Sequence, residues 1–216
     1  MSQDSQLQQS VCAEFHWEPS VTAGHIGVTT SAGVVTLSGH VDSYVEKFAA
    51  ETAARRVKGV KAVAEEIEVR LPFDTQRSDE DIAAAAVQRL SWNVSAPKDS
   101  VQVKVEKGWV TLTGQVDWWY QKEAAEHDIR PLHGVVGVSN QATIKPRVNT
   151  SNLSDDITHA LHRSWFFDPE PVHVRANGGK VVLSGTVHSY HERQVAAETA
   201  WSAPGATNVE NDIAVI

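Results

Sequence analysis

Apolar side chains fall on a four-residue beat at three places along the chain. Leu7, Val11 and Phe15 mark the first, Ile82, Ala86 and Leu90 the second, and Ile157, Leu161 and Trp165 the third. Each set predicts a helix with one buried stripe. Two short alternating stretches follow each helix. They are Ile26 and Val28 with Val35 and Leu37, then Val101, Val103 and Val105 with Val110 and Leu112, then Val172 and Val174 with Val181 and Leu183. The intervening SAG, EKG and NGG predict hairpins. A second helix comes next, its inner face Ala49/Ala50, Ala54 and Val57 in the first instance. The matching faces are Ala124/Ala125, Ile129 and Leu132, then Val195/Ala196, Ala200 and Ala203. The alanines favour helix and let its backbone approach a sheet closely. One more alternating strand closes each series: Val63, Ile67 and Val69, then Val138, Ala142 and Ile144, then Val209, Ile213 and Val215.

The pattern predicts an α+β fold of three tandem α-β-β-α-β units. Each is expected to be a three-stranded mixed sheet with two helices on one face. Glycines give the repeat its register. Gly39, Gly114 and Gly185 are 75 and 71 residues apart, and Gly33, Gly108 and Gly179 keep those spacings, as do Gly59, Gly134 and Gly205. The repeats are placed at 1–72, 76–147 and 151–216, with polar linkers at 71–80 and 146–155. Pro19, Pro97 and Pro169 sit in the connectors after the first helices. A unit of about 70 residues is small for an independent core, so packing between copies is expected. A line and a closed ring of copies satisfy the pattern equally.

One phrase recurs in each unit: VTLSGHVDSY at 35–44, VTLTGQVDWW at 110–119 and VVLSGTVHSY at 181–190. Its first apolar residues should face the helices. Gly39, Gly114 and Gly185 fall where strand gives way to connector. A glycine there takes a dihedral closed to other residues, or lets the chain pass close to a neighbour. Ser43 with Glu46 and Ser189 with Glu192 read as capping boxes at the start of the second helix. In the middle copy Trp118 stands in the serine's place, with Gln121 three residues on, and Asp117 is expected to cap instead. The residue after each cap position is aromatic: Tyr44, Trp119 and Tyr190. The middle copy adds Trp118 and Tyr120, and helical periodicity spreads its Trp-Trp-Tyr around the axis, so at least one ring must be exposed or lie in an interface. Trp118, Trp119, Tyr120, Lys122, Tyr44 and Tyr190 are therefore the candidate contact residues. Amphipathic aromatics suit a lipid headgroup layer or a protein partner. A contact between the units is the alternative.

Composition narrows the partners. Apolar residues make up 41% and charged residues 21%, and the net charge is -8. Such a chain is not drawn as a whole to nucleic acid, and no dense basic patch overrides that. The middle unit is the least acidic, with nine basic against ten acidic residues over 73–147. It is the unit best suited to an anionic surface, through Lys122 beside the aromatic run. Cys12 stands alone, which rules out an intramolecular disulfide and reads as a small buried hydrophobe. The opening MSQDSQLQQSVCAEFHW has neither a basic n-region nor an apolar h-region, and no run reaches the ~18 apolar residues of a membrane span. A cytoplasmic location is expected, peripheral where a membrane is touched.

Catalytic chemistry is not expected. Five of ten histidines lie in the third unit, at 159, 162, 173, 188 and 191, without the ligand spacing of a zinc site. They read as surface residues. No phosphate-binding loop, nucleophile elbow or His-Glu-x-x-His helix is present, so no catalytic set, cofactor or metal is assigned.

The unit resembles the BON domain family. The resemblance rests on strand-Gly-x-Val (Val35 to Val41, Val110 to Val116, Val181 to Val187), the Ala-rich helix, and a closing stretch of Gly-Val-x-x-Val-x-Asn-x-Ile type. That stretch reads Gly59-Val60-Lys61-Ala62-Val63 before Ile67, and Gly134-Val135-Val136-Gly137-Val138-Ser139-Asn140 in the second copy. The third departs at Ala206 but keeps Val209 and Asn211 before Ile213. The resemblance implies a non-catalytic module of bacterial osmotic-stress and outer-membrane maintenance proteins that binds phospholipid membranes or tethers other proteins. The expected function is thus attachment to a phospholipid surface or an envelope-associated partner in a stress response. The alternative is a soluble protein–protein interaction scaffold, which the acidic charge favours.

Overall fold

The computed structural model describes residues 3–95, 100–147, 152–163 and 172–216. Pro97, Trp165 and Pro169 lie outside them. Unit 1 contains α1 (Gln3–Trp17), β1 (Ile26–Ser31), β2 (Val34–Val41), α2 (Tyr44–Arg56) and β3 (Ala62–Val69). Unit 2 contains α3 (Asp79–Trp92), β4 (Val101–Glu106), β5 (Trp109–Val116), α4 (Trp119–Ile129), β6 (Gly137–Asn140) and β7 (Thr143–Ile144). Unit 3 contains α5 (Leu153–His162), β8 (Val172–Asn177), β9 (Lys180–Val187), α6 (Tyr190–Ser202) and β10 (Asn208–Val215). The order is the α-β-β-α-β expected from the periodicities.

In each unit the second strand is central, antiparallel to the first and parallel to the last. Parallel neighbours need a crossover, and the second helix supplies it. Unit 2 differs in one respect: its last strand is split into β6 and β7, both paired with β5. The register is unbroken across the split, since Leu112 faces Asn140 and Gln115 faces Thr143. At the interruption the Ala142 N–H turns to the Asn140 side chain, 3.3 Å away.

The helical stripes and the inward strand positions meet in three cores. Val11, Phe15, Val35, Leu37, Ala50 and Ala54 anchor the first. Ile82, Ala86, Val110, Leu112, Ala125 and Ile129 anchor the second. Ile157, Leu161, Val181, Leu183, Ala196 and Ala200 anchor the third. Val41, Val116 and Val187 are buried at the strand ends and close each core.

The strand-exit glycines have both properties that the sequence allowed. Their φ values are +113° at Gly39, +129° at Gly114 and +124° at Gly185. Each lies opposite the start of its hairpin partner, at Ile26, Val101 and Val172. A Cβ on Gly39 would collide with the His25 carbonyl oxygen, and one on Gly114 with that of Ser100. A side chain is therefore excluded twice, by dihedral and by space.

Candidate binding interface

The candidate residues cluster at the N-termini of α2, α4 and α6, so the local chemistry there comes first. Ser43 caps α2 by accepting from the Glu46 N–H at 3.2 Å, and Ser189 caps α6 by accepting from Glu192 N–H at 3.2 Å. The return arm of the box reaches one residue further back than expected. Glu46 accepts from the Asp42 N–H at 3.2 Å and from the Thr22 N–H at 2.7 Å, and Glu192 accepts from the His188 N–H at 2.8 Å. Glu46 is buried by this role. In α4 the N-cap is Trp118, whose indole has no acceptor to offer. Asp117 does not replace it. Its carboxylate pairs with Lys145 at 2.9 Å, because it sits one position too early to reach the helix amides. Gln121 compensates from inside the helix, accepting from the Asp117 and Trp118 N–H groups at 2.9 and 3.0 Å.

The first residue of each second helix points across to the next unit. Tyr44 packs on the core of unit 2 and takes a backbone hydrogen bond from Val138. Burial pushes its phenol above the usual tyrosine range. Trp119 stacks on Trp201 of unit 3, with ring centroids 6.4 Å apart and planes 13° from parallel. Tyr190 receives the Arg55 guanidinium of unit 1, 5.1 Å from its ring centroid. The units therefore close into a ring, 1 to 2 to 3 and back to 1. The repeat arithmetic makes this plain. Arg130, Trp201 and Arg55 hold the same place in their helices, eleven residues after Trp119, Tyr190 and Tyr44. Arg130 lies 3.8 Å from the ring centroid of Phe48, one turn beyond Tyr44.

These seams are aromatic and charged rather than purely apolar. Arg130 is held by Glu126 at 2.7 Å, and Arg55 by Glu51. Glu123 faces its neighbours across the seam between units 2 and 3. Burial, and then the Glu198 carboxylate, raise its pKa above the usual glutamate range.

Three of the six candidate residues, Tyr44, Trp119 and Tyr190, are thus engaged within the chain. The other three lie at the start of α4. Trp118 lies under the Arg147 guanidinium, 3.7 Å from its ring centroid, and Tyr120 is 54% exposed. Lys122 is half-buried. In unit 1 its counterpart Lys47 pairs with Glu65 at 2.8 Å. In unit 2 the residue matching Glu65 is Asn140, which instead donates its side-chain N–H to the Lys122 carbonyl at 2.7 Å. Among the described residues the Lys122 ammonium has neither a hydrogen bond nor an ion pair. Burial lowers its pKa, with Glu126 opposing.

Sequence reasoning missed Arg147 at this site and Arg55, Arg130 and Trp201 at the seams. A signal for the seams was present. Tyr44, Phe48, Glu51 and Arg55 form a second helical stripe away from the alanine face. Its mixed chemistry hides it from a search for apolar periodicity. Among the described residues, no group of three or more His, Cys, Asp or Glu side chains could hold a metal ion, and no helix is long and apolar enough to cross a membrane.

The described fold is three α-β-β-α-β units joined by aromatic and cation–π contacts. The chain belongs to the BON domain family, which it matches over residues 3–70, 78–146 and 149–216. This family consists of non-catalytic modules associated with membrane and lipid surfaces. Among curated proteins the chain is similar to Osmotically-inducible protein Y of Escherichia coli (strain K12). The two are 29% identical over 146 residues, 66% of this chain and 73% of that protein. Among solved structures it aligns with CdsD, a structural protein of the type III secretion system of Chlamydia trachomatis. Identity is 17% over 98% of this chain and 92% of that one, with a TM-score of 0.27. The CdsD C-terminal domain aligns at 18% identity over the full length of both, also at a TM-score of 0.27.

Proposed function

We propose that the chain attaches to anionic phospholipid surfaces through unit 2, as an envelope-associated module of the stress response. The reading is carried by the start of α4, where Arg147 covers Trp118, Tyr120 stands exposed, and the Lys122 ammonium has no ion pair among the described residues. Indole and phenol rings suit the headgroup layer, and each basic residue near an anionic leaflet contributes about 1 kcal/mol. The overall charge of -8 opposes such contact, so the near-neutral unit 2 is the face that can approach. Co-sedimentation with phosphatidylcholine vesicles, with and without phosphatidylglycerol, tests this. The intact chain should pellet with the anionic vesicles, and W118A/Y120A should lose roughly tenfold in affinity. Trp119 is left alone because it holds the ring. Equal pelleting of the variant, or none by the intact chain at low salt, removes the proposal.

A second reading rests on a different observation. Trp17, Phe73 and Trp92 are 83%, 92% and 81% exposed, outside the α4 site. Large exposed apolar side chains also suit a protein partner. A stoichiometric partner retained by the intact chain and lost from W17A/W92A, with no lipid response, would favour the scaffold function.

A further inference from the structure

We propose that the seam between units 3 and 1 holds a phosphate-class oxyanion, the terminal phosphate of a small ester or a lipid headgroup. A cavity of about 510 Å³ opens there, lined by Arg56 and Lys58 at the end of α2 and by His188, Ser189, His191 and Glu192 at the start of α6. The volume is in the range of small-ligand sites.

The ring contains its own control. A cavity of about 250 Å³ occupies the matching place between units 1 and 2, and it is lined by Asp42, Ser43, Val45, Pro131 and His133 among others. Residue by residue, Asp42 corresponds to His188, Val45 to His191, Pro131 to Arg56 and His133 to Lys58, while Ser43 and Ser189 are the same. The fold thus builds the same recess twice. Four lining positions differ together, and each difference either removes an acid or an apolar group or adds a cationic or ring N–H donor. The lining thereby gains positive charge, since Arg56 and Lys58 outnumber Glu192 here while Asp42 is offset by Arg130 at the other seam.

The donors are available. Among the described residues the side chains of Lys58, His188 and His191 make no hydrogen bond or ion pair. Ser189 uses an oxygen lone pair to cap α6, which leaves its O–H free to donate. The three acids nearby are occupied: Glu192 accepts from the His188 N–H, and Glu14 and Glu18 bind Arg56 at 2.9 and 2.8 Å. Arg56 therefore serves as a fixed wall of the recess, and Lys58 with the two histidines forms the recognition set. A tetrahedral oxyanion presents three or four acceptors to such a set, and charge-assisted donors bind it most strongly. The inference does not rest on the lipid contact proposed for unit 2, because it uses other residues at another seam.

The test is a ¹⁵N–¹H NMR titration of the full chain with inorganic phosphate and with glycerol 3-phosphate, against chloride at matched ionic strength. Saturable shifts centred on residues 56–58 and 188–192 are expected. The variant H188D/H191V/K58H gives this seam the residues that the fold already carries at the seam between units 1 and 2, so it should fold. It should bind at least about tenfold more weakly. W118A/Y120A should titrate like the unaltered chain, which separates this site from the unit 2 contact. Vesicles containing phosphatidic acid distinguish the two sources. Competition between them and glycerol 3-phosphate for the same resonances assigns the site to headgroups, and its absence assigns it to soluble esters. Shifts no larger than those with chloride, or shifts that persist in the triple variant, would overturn the proposal.

Discussion

The stacked pair Trp119–Trp201 offers the cleanest measure of what closes the ring. Both residues are neutral, they belong to different units, and their rings lie 6.4 Å apart and 13° from parallel. Offset aromatic pairs contribute about 0.5–1.5 kcal/mol beyond the area they bury. A double-mutant cycle built from W119L, W201L and the double variant isolates that part, because leucine keeps much of the apolar area. Each single change should destabilise the chain, and the double variant should be less unstable than the two added together by roughly 1 kcal/mol. The assay is urea unfolding followed by far-UV circular dichroism, which avoids the overlapping fluorescence of seven tryptophans. The coupling should hardly change between low and high salt, since no charge is involved. The Arg55–Tyr190 contact at the third seam, by contrast, should weaken with salt, as a partly exposed cation–π contact of about 0.5–1 kcal/mol does. If W119L and W201L add within about 0.3 kcal/mol, the two rings do not cooperate and the closed ring does not depend on them.

Three further perturbations probe the units themselves. G39A or G114A forces a side chain into a positive-φ position and against a backbone carbonyl; with backbone strain and overpacking each costing roughly 1–3 kcal/mol, thermal melts should show a large loss. W118S restores the cap acceptor that α4 lacks and should add about 0.5–1 kcal/mol of stability while weakening vesicle binding, so stability and lipid affinity should move in opposite directions. The pKa of Glu123 is raised by burial and then by Glu198, so its contribution is intact below the ordinary glutamate range and is lost as pH rises through the raised value. E123Q should therefore match the unaltered chain near pH 4 in denaturant melts and become the more stable of the two towards pH 7. A constant difference across that range would show that the carboxylate does not sense the seam.

Much of the fold was legible because its determinants are local. The stripe Leu7, Val11, Phe15 and the alternation of Val35 with Leu37 each report one buried face, and burial follows in both. The strand-exit glycines were legible for the same reason, since a dihedral and a close approach leave few other residues possible. The cap of α4 was not. Asp117 looks like a cap by type, but capping depends on one position of register, and that position holds Trp118. The rescue by Gln121 uses the far arm of the capping box, and the sequence alone does not show which of the two arms is in place.

The ring was the least legible feature, and the reason bears on function. Tyr44, Trp119 and Tyr190 look alike in the sequence, as do Asp42 and Asp117 beside His188, because repetition reports what the units share. Closure sets each repeated aromatic against a different partner: the core of unit 2, Trp201, or Arg55. Three copies of one fold thereby produce three unlike seams, and selection can act on each without disturbing the core that all three need. The departures from the repeat are therefore the informative positions. Trp118 in place of a cap serine gives up a helix-terminal hydrogen bond, and the ring it gains lies outside the core and beneath Arg147. His188 in place of an aspartate removes an acid that would repel an anion beside Lys58 and Arg56. In both cases the substituted position lies in the strand-to-helix connector, where the backbone is already held by the glycine and the buried valine before it. A side chain there can change at a cost confined to the helix cap, with the core left intact, which is the physical condition for a repeat to acquire a binding site.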